Sequence, residues 1–252
     1  MKAGRVGLVL LALMAGGLAF AEEPALVLVS DAKSRNFQVR DGIAEGLFPA
    51  VLREVFSALG RRVEFRVRPW ARCFEETRAG AADGWFAIYR LAGREPSFLY
   101  SNVPIYQAEE HIYLRRGQSL DVAAWRDALK GKRIGIINGS YHGPIFEAAV
   151  AAHLFGEVEI VNSDESLVAM LEAGRIDAAF TTTELVAQTV AGLGRSAAIV
   201  QTEPAIATMP TYLAFTRKKE FTALRDAFDR ELTRMKEDGR YEALRKRYAA
   251  TN

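Results

Sequence analysis

"AGAADGWF" at residues 79–86 and "AGRIDAAF" at residues 173–180 are one phrase written twice, Ala-Gly-x-x-Asp-x-x-Phe. The residues upstream of the two copies correspond as well. "FPAVLREVFSALGRRVEFRV" (48–67) and "ARCFEETRAG" (71–80) lead into the first, and "PIFEAAVAAHLFGEVEIV" (144–161) and "ESLVAMLEAG" (165–174) lead into the second. Each block reads as an amphipathic helix, a glycine stop (Gly60, Gly156), a strand opening Val-Glu, a second helix, and the repeated phrase. "ALVLVSD" (25–31) and "KRIGIING" (132–139) supply a strand before each block. The order is βαβαβ, twice, which predicts an α/β chain of two parallel-sheet units.

Local chemistry supports this order. Phe48, Val51, Leu52, Val55, Phe56 and Leu59 recur at three- and four-residue spacing, so they share one face of a helix. Gly80 and Gly174 close the second helix of each block by taking the left-handed conformation. The apolar residues after Asp83 and Asp177 then enter a buried parallel strand, and both aspartates read as hydrogen-bonding residues of the turn.

The chain opens "MKAGRVGLVLLALMAGGLAFAEEP", with basic Lys2 and Arg5, an apolar run, and Ala19-Phe20-Ala21 as an A-x-A site. That is the pattern of a secretory signal peptide over residues 1–21, with the mature chain expected to start at Glu22, free in solution. The full chain carries 33 basic and 31 acidic residues. Without Lys2 and Arg5 the balance is neutral, so bulk charge offers nothing to nucleic acid or membrane. About 230 residues remain, enough for two units of roughly 100 each. A single cysteine, Cys73, forms no internal disulfide and reads as packed inward. His111, His142 and His153 are too dispersed for a metal motif, and there is no phosphate-cradling G-x-x-x-x-G-K-[ST].

No linker-like tract separates the halves. "SNVPIYQAEEHIYLRRG" (101–117) carries the chain into the second half, and "ATMPTYLAFTRKKEF" (207–221) carries it back to a helical tail that lacks a sheet of its own. Two crossings of this kind predict a hinge of two strands. The expected boundaries are 22–108 with 211–252 for lobe one and 109–210 for lobe two.

Open α/β sheets bind ligands beyond the carboxyl ends of their strands. Lobe one places Asp31, Trp70, Arg72, Tyr89 and Arg94 there. Lobe two places Asn138, Gly139, Ser140, Tyr141, Asn162, Thr181, Thr182 and Thr183. Pro144 suits the first turn of a helix, so the "NGSYHG" turn would offer backbone N–H groups to an anion. Arg72 and Arg94 add guanidinium forks matched to a carboxylate. Trp70 fits either the cleft wall or the core.

At this point the chain resembles the periplasmic solute-binding proteins of the polar amino acid type, family three of the extracellular solute-binding proteins. The resemblance spans nearly all of residues 24–250. It is carried in order by "DG" (41–42) with the helix after it, "PWARCFEETRAGAADGWF" (69–86), "REPSFLYSNVPIY" (94–106), "LKGKRIGIINGS" (129–140), "LVAMLEAGRIDAAF" (167–180) and "MKEDGRYEALRKRY" (235–248). It implies a two-lobed clamshell that closes on a small solute, without cofactor or metal, and delivers it from the periplasm to the membrane permease of an ABC importer. A monomer with no nucleic-acid partner is expected. By the resemblance, Arg94, seven residues before Ser101, grips the ligand carboxylate, Asp31 follows the first strand, and Gly139-Ser140 is the lobe-two turn. Two positions depart from the family: Tyr89 replaces a Thr or Ser, and Thr181-Thr182-Thr183 stand where an amine-binding Asp is common. These departures lead to the expectation that an anionic or aromatic acid binds better than a neutral amino acid. The competing readings are an enzyme on the same clamshell, such as a dehydratase of cyclic acids with Glu184, His142 or Ser140 as acid or base, and a periplasmic sensor partner.

Overall fold

The computed structural model describes residues 23–31, 36–182 and 198–250. The predicted signal peptide, Thr183 and Glu184 lie outside the described residues.

The doubled phrase folds as two parallel units. In the first, β1 (Leu26–Ser30) is flanked in parallel by β4 (Val63–Val67) and β5 (Gly84–Tyr89). In the second, β8 (Arg133–Ile137) is flanked in parallel by β9 (Glu157–Val161) and β10 (Ala178–Thr182). Helices α1 (Leu47–Ala58) and α2 (Trp70–Ala79) connect the strands of the first unit. Helices α4 (Gly143–Ala151) and α5 (Asp164–Glu172) connect those of the second, with the short α3 (Trp125–Leu129) before β8. A hairpin of β2 (Gln38–Arg40) and β3 (Ile43–Glu45) precedes α1.

The repeated aspartates hold equivalent places. Asp83 accepts a 2.8 Å hydrogen bond from the Val27 amide in β1, and Asp177 accepts one of 2.9 Å from the Arg133 amide at the start of β8. Each turn thus fastens the third strand of its unit to the first. Burial alone would raise the Asp177 carboxyl, but the Arg133 amide and guanidinium outweigh it and hold the group below the usual carboxylate range. Gly80 and Gly174, at φ 82° and 67°, make the left-handed turn that brings each aspartate round. Gly156 does not stop a helix as the sequence predicts. α4 ends at Ala151 and the left-handed residue is His153; a Cβ at Gly156 would meet the Gly131 carbonyl oxygen at 2.5 Å.

The two units join through two ten-residue strands, β7 (Tyr106–Arg115) and β12 (Ala207–Thr216). Tyr106–Glu110 pairs antiparallel with Ala207–Thr211. Beyond that stretch the strands part company. β7 continues beside β10 and β11 (Ile199–Gln201), while β12 continues beside β5 and β6 (Phe98–Tyr100). The resulting path is β4-β1-β5-β12-β7-β10-β8-β9.

The tail returns to the first unit. α6 (Thr222–Glu237) buries Phe228, Leu232 and Met235 against Val51, Leu52, Val55 and Phe56 of α1, followed by α7 (Arg240–Ala250). Burying each such large side chain contributes roughly 1.5–3 kcal/mol. The tail also fixes the approach to β7. Asp229 of α6 accepts from the amides of Asn102 and Val103, and Tyr241 of α7 donates to the Ile105 carbonyl at 2.8 Å.

Replacing Asp83, which also meets Lys219 at 2.6 Å, should be costly. Asp83→Ala leaves the Val27 amide without its acceptor and should destabilise the fold by ~1.5–3 kcal/mol, read by urea denaturation. A loss below about 0.5 kcal/mol, the range of an ordinary surface change, would contradict the fastening role.

Candidate binding cleft

Where the carboxyl ends of both units meet the paired stretch of β7 and β12, a cavity of about 610 Å³ opens. That is within the range of small-molecule sites. From the first unit it is bordered by Asp31 just after β1, Trp70 at the start of α2, Tyr89 at the end of β5, and Arg94 in a short 3-10 turn. From the second it is bordered by Asn138, Gly139, Ser140 and Tyr141, between β8 and α4, and by Thr181 and Thr182 at the end of β10. Ten of the thirteen candidate residues thus share one cavity; Asn162 is not among its lining residues, and Thr183 lies outside the described residues.

Arg72 does not. Its exposed side chain forms an ion pair with Glu76 one turn along α2, with Nε 3.3 Å from the carboxylate. Successive helical residues are rotated by about 100°, so with Trp70 turned to the cavity, Arg72 is carried to the far side.

Trp70 belongs to the wall. Its ring is stacked near Phe74 and lies edge-on to Trp85 at a centroid distance of 5.4 Å. The Arg94 guanidinium carbon sits 4.9 Å from the Trp70 ring centroid. This is cation–π geometry, which holds the charge without occupying it with an anion. Among the described residues Arg94 makes no ion pair, so its N–H groups remain for a carboxylate. Across the cavity, Tyr89 and Tyr141 bring their rings to 5.4 Å, joining the two walls.

The lobe-two turn forms as the proline predicts. Gly139 is left-handed at φ 73°, and α4 begins at Gly143 with Pro144 in its first turn. Asn138 donates to the Asn162 side chain at 3.1 Å, which ties the ends of β8 and β9 together. His142 precedes α4 and makes no capping hydrogen bond with its side chain.

Several bordering residues escaped the sequence reading. Ser30, Asn36, Phe37, Phe48, Tyr106 and Thr211 line the cavity, as does Ala87. Ala87 is the extra residue of a bulge: its neighbours Phe86 and Ile88 pair with the consecutive Leu213 and Tyr212, and it sits at φ 61°. An alanine gives no sequence signal for that conformation, which favours glycine.

Glu110 is the most consequential omission. It is fully buried in β7, with Oε1 2.7 Å from Nδ1 of the buried His142, and both residues border the cavity. A signal was present. Glu110 falls in the same alternation as Ile112 and Leu114, so a charge stood in a buried phase of the strand. Its register partner in β10 is Thr182. The expectation that an anionic or aromatic acid binds better than a neutral amino acid rested on Thr182 standing where an amine-binding carboxylate is common; the neighbouring strand places an acid, Glu110, beside it.

Among the described residues, no group of three or more His, Cys, Asp or Glu could hold a metal ion. Cys73 is buried, and burial pushes its thiol up to about 12, leaving little thiolate for chemistry at neutral pH.

Residues 26–251 match the model of the bacterial extracellular solute-binding proteins, family 3. The chain belongs to that family. A search of curated proteins gave no match to this solute-binding protein. Among solved structures, a probable amino-acid ABC transporter extracellular-binding protein from Bacillus subtilis is similar at TM-score 0.74 and 17% identity, over 89% of this chain and 96% of that one. A histidine kinase sensor domain with similarity to periplasmic binding proteins has TM-score 0.72 and 18% identity, over 90% and 96%. The arginine-, lysine-, histidine-binding protein ArtJ from Geobacillus stearothermophilus has TM-score 0.68 and 22% identity, over 89% and 95%. At these identities the likeness is one of fold, the two-lobed periplasmic binding-protein architecture.

The contrasting places of the two arginines separate them in experiment. For a solute with a carboxylate, Arg94→Ala should weaken binding by ~2–4 kcal/mol, roughly 30- to 1000-fold. Arg72→Ala should stay within about threefold, because an exposed ion pair contributes little. Calorimetry giving equal losses for both would contradict the assignment.

Proposed function

We propose that this family member captures a small carboxylate-bearing solute, an amino acid or organic acid, in the periplasm and delivers it to the membrane permease of an ABC importer. The observation that carries this reading is Arg94, held over Trp70 without an ionic partner among the described residues, on the wall of a solute-sized cavity. The Gly139-Ser140 turn opposes it from the other unit, so a solute between them touches both halves. The leader pattern of residues 1–21 supports export. We infer binding rather than conversion. The family whose model spans residues 26–251 is one of solute-binding proteins, which supports that inference. The fold shared with a histidine kinase sensor domain makes a sensor partner the second reading.

A thermal-shift screen of amino acids, di-acids and small anions tests solute capture. A solute at 100 times its Kd should stabilise the protein by ~2.7 kcal/mol. No shift with any carboxylate-bearing member of the panel would contradict the proposal.

A further inference from the structure

The path of the sheet ends in two open edges, β4 in the first unit and β9 in the second. They hold equivalent places. Among the described residues β4 pairs in parallel with β1 alone and β9 with β8 alone, with Val67 and Val161 at the matching ends. An open edge displays unpaired backbone groups and is a template for another strand. The two edges meet that exposure with different side chains.

The backbone of β4 fixes how a partner strand can approach. The Arg62 carbonyl accepts from the Leu26 amide, and the Arg68 amide donates to the Ser30 carbonyl, so the even-numbered residues here turn their backbone groups to β1. The N–H and C=O groups of Val63, Phe65 and Val67 therefore point away from the sheet. Side chains alternate as well. Val63 and Phe65 pack against the core of the first unit, with the Arg53 guanidinium carbon 5.0 Å from the Phe65 ring centroid. Glu64 and Arg66 share the opposite face, exposed, and Arg66 Nε donates to the Glu64 carboxylate at 2.6 Å.

The stretch Val63-Glu64-Phe65-Arg66-Val67 complements itself when it meets its own copy antiparallel. The register that pairs all five residues is centred on Phe65. Phe65 then faces Phe65, and Val63 faces Val67, in pairs that exchange backbone hydrogen bonds through the outward groups. Glu64 of each copy stands directly opposite Arg66 of the other, in the closer non-hydrogen-bonded pairs, where opposite charges stabilise. Moving the centre to Glu64 or to Arg66 sets like charges against each other, so charge selects the register that the backbone also permits. β9 lacks this match. Paired over its full length with its own copy, Glu157–Val161 would set Glu159 against Glu159, and like charges directly opposite are destabilising.

We propose that the chain forms a twofold dimer through β4, a second copy continuing the sheet beyond this edge, in place of the monomer expected from the sequence. A twofold axis at Phe65 makes the contact isologous, so it closes at two copies. β1 and β5 separate β4 from the paired β7 and β12, and the proposal does not rest on solute capture.

Sedimentation equilibrium of the mature chain tests this, carried to about 0.5 mM because so short an edge makes a small interface. The mean mass should rise with concentration towards twice that of the chain. Glu64→Arg and Arg66→Glu, each of which sets like charges opposite at both pairs, should weaken association by about tenfold or more. An equal mixture of these two variants should associate again, because one then carries two arginines and the other two acids. The double exchange Glu64→Arg with Arg66→Glu should associate as the wild type does. The recovery in the mixture and in the double exchange separates charge matching from damage to the fold. A wild type that stays monomeric throughout, single variants that associate as the wild type does, or a mass growing past that of a dimer, as pairing of β4 with β9 would give, would each overturn the proposal.

Discussion

The structure depends on five residues of β7 paired with five of β12, Tyr106–Glu110 against Ala207–Thr211. Among the described residues these are the two ten-residue strands that join the units, and each leaves the pairing to continue beside different strands of one ten-stranded sheet. Antiparallel pairing fixes their register through side chains that alternate between faces, and a one-residue slip would invert every one of them. Everything at the cleft floor inherits that register. It puts Glu110 beside Thr182, Thr211 beside Tyr106, and the carboxyl ends of both parallel units on a common cavity. The surrounding devices protect it: Asp229 and Tyr241 of the returning tail secure the chain just before β7, and Ser101 exchanges hydrogen bonds with Leu213 of β12.

The two walls differ in chemistry. On the first, an arginine lies over a tryptophan that is itself braced by Phe74 and Trp85, so the cation is positioned by aromatic faces and keeps its hydrogen-bond donors. On the second, a glycine turn, a helix start and a carboxylate–imidazole pair are set close together. Tyr89 and Tyr141 close the gap between them. The bulge at Ala87 belongs to the same design. An alanine at positive φ is strained by about 1–2 kcal/mol, and it re-aims the end of β5, where Tyr89 stands.

Much of this was readable because it is local. The repeated phrase specifies helix, left-handed glycine, aspartate and strand within eight residues, and its aspartates do serve the turns. Trp70, Arg94 and the residues from Asn138 to Tyr141 were singled out because strand ends are where ligands gather, and they line one cavity. Arg72 was misplaced because proximity in sequence was read as proximity in space; helical rotation sends it to Glu76. Glu110 was missed because its meaning is set by partners 32 and 72 residues away, His142 and Thr182. Gly156 was misread for the same reason: its constraint is the Gly131 carbonyl, not the helix before it.

The central claim is that one solute is held simultaneously by both walls of the cavity beside the paired strands. Hydrogen–deuterium exchange with and without a saturating amino acid measures this most directly. Exchange should slow together at Tyr89–Arg94 in the first unit and at Asn138–His142 in the second, with little change in the buried core of α1 and α6, because a bridging solute orders only what it touches and joins. Slowing on one wall alone, or protection confined to surfaces away from the cavity, would contradict the account.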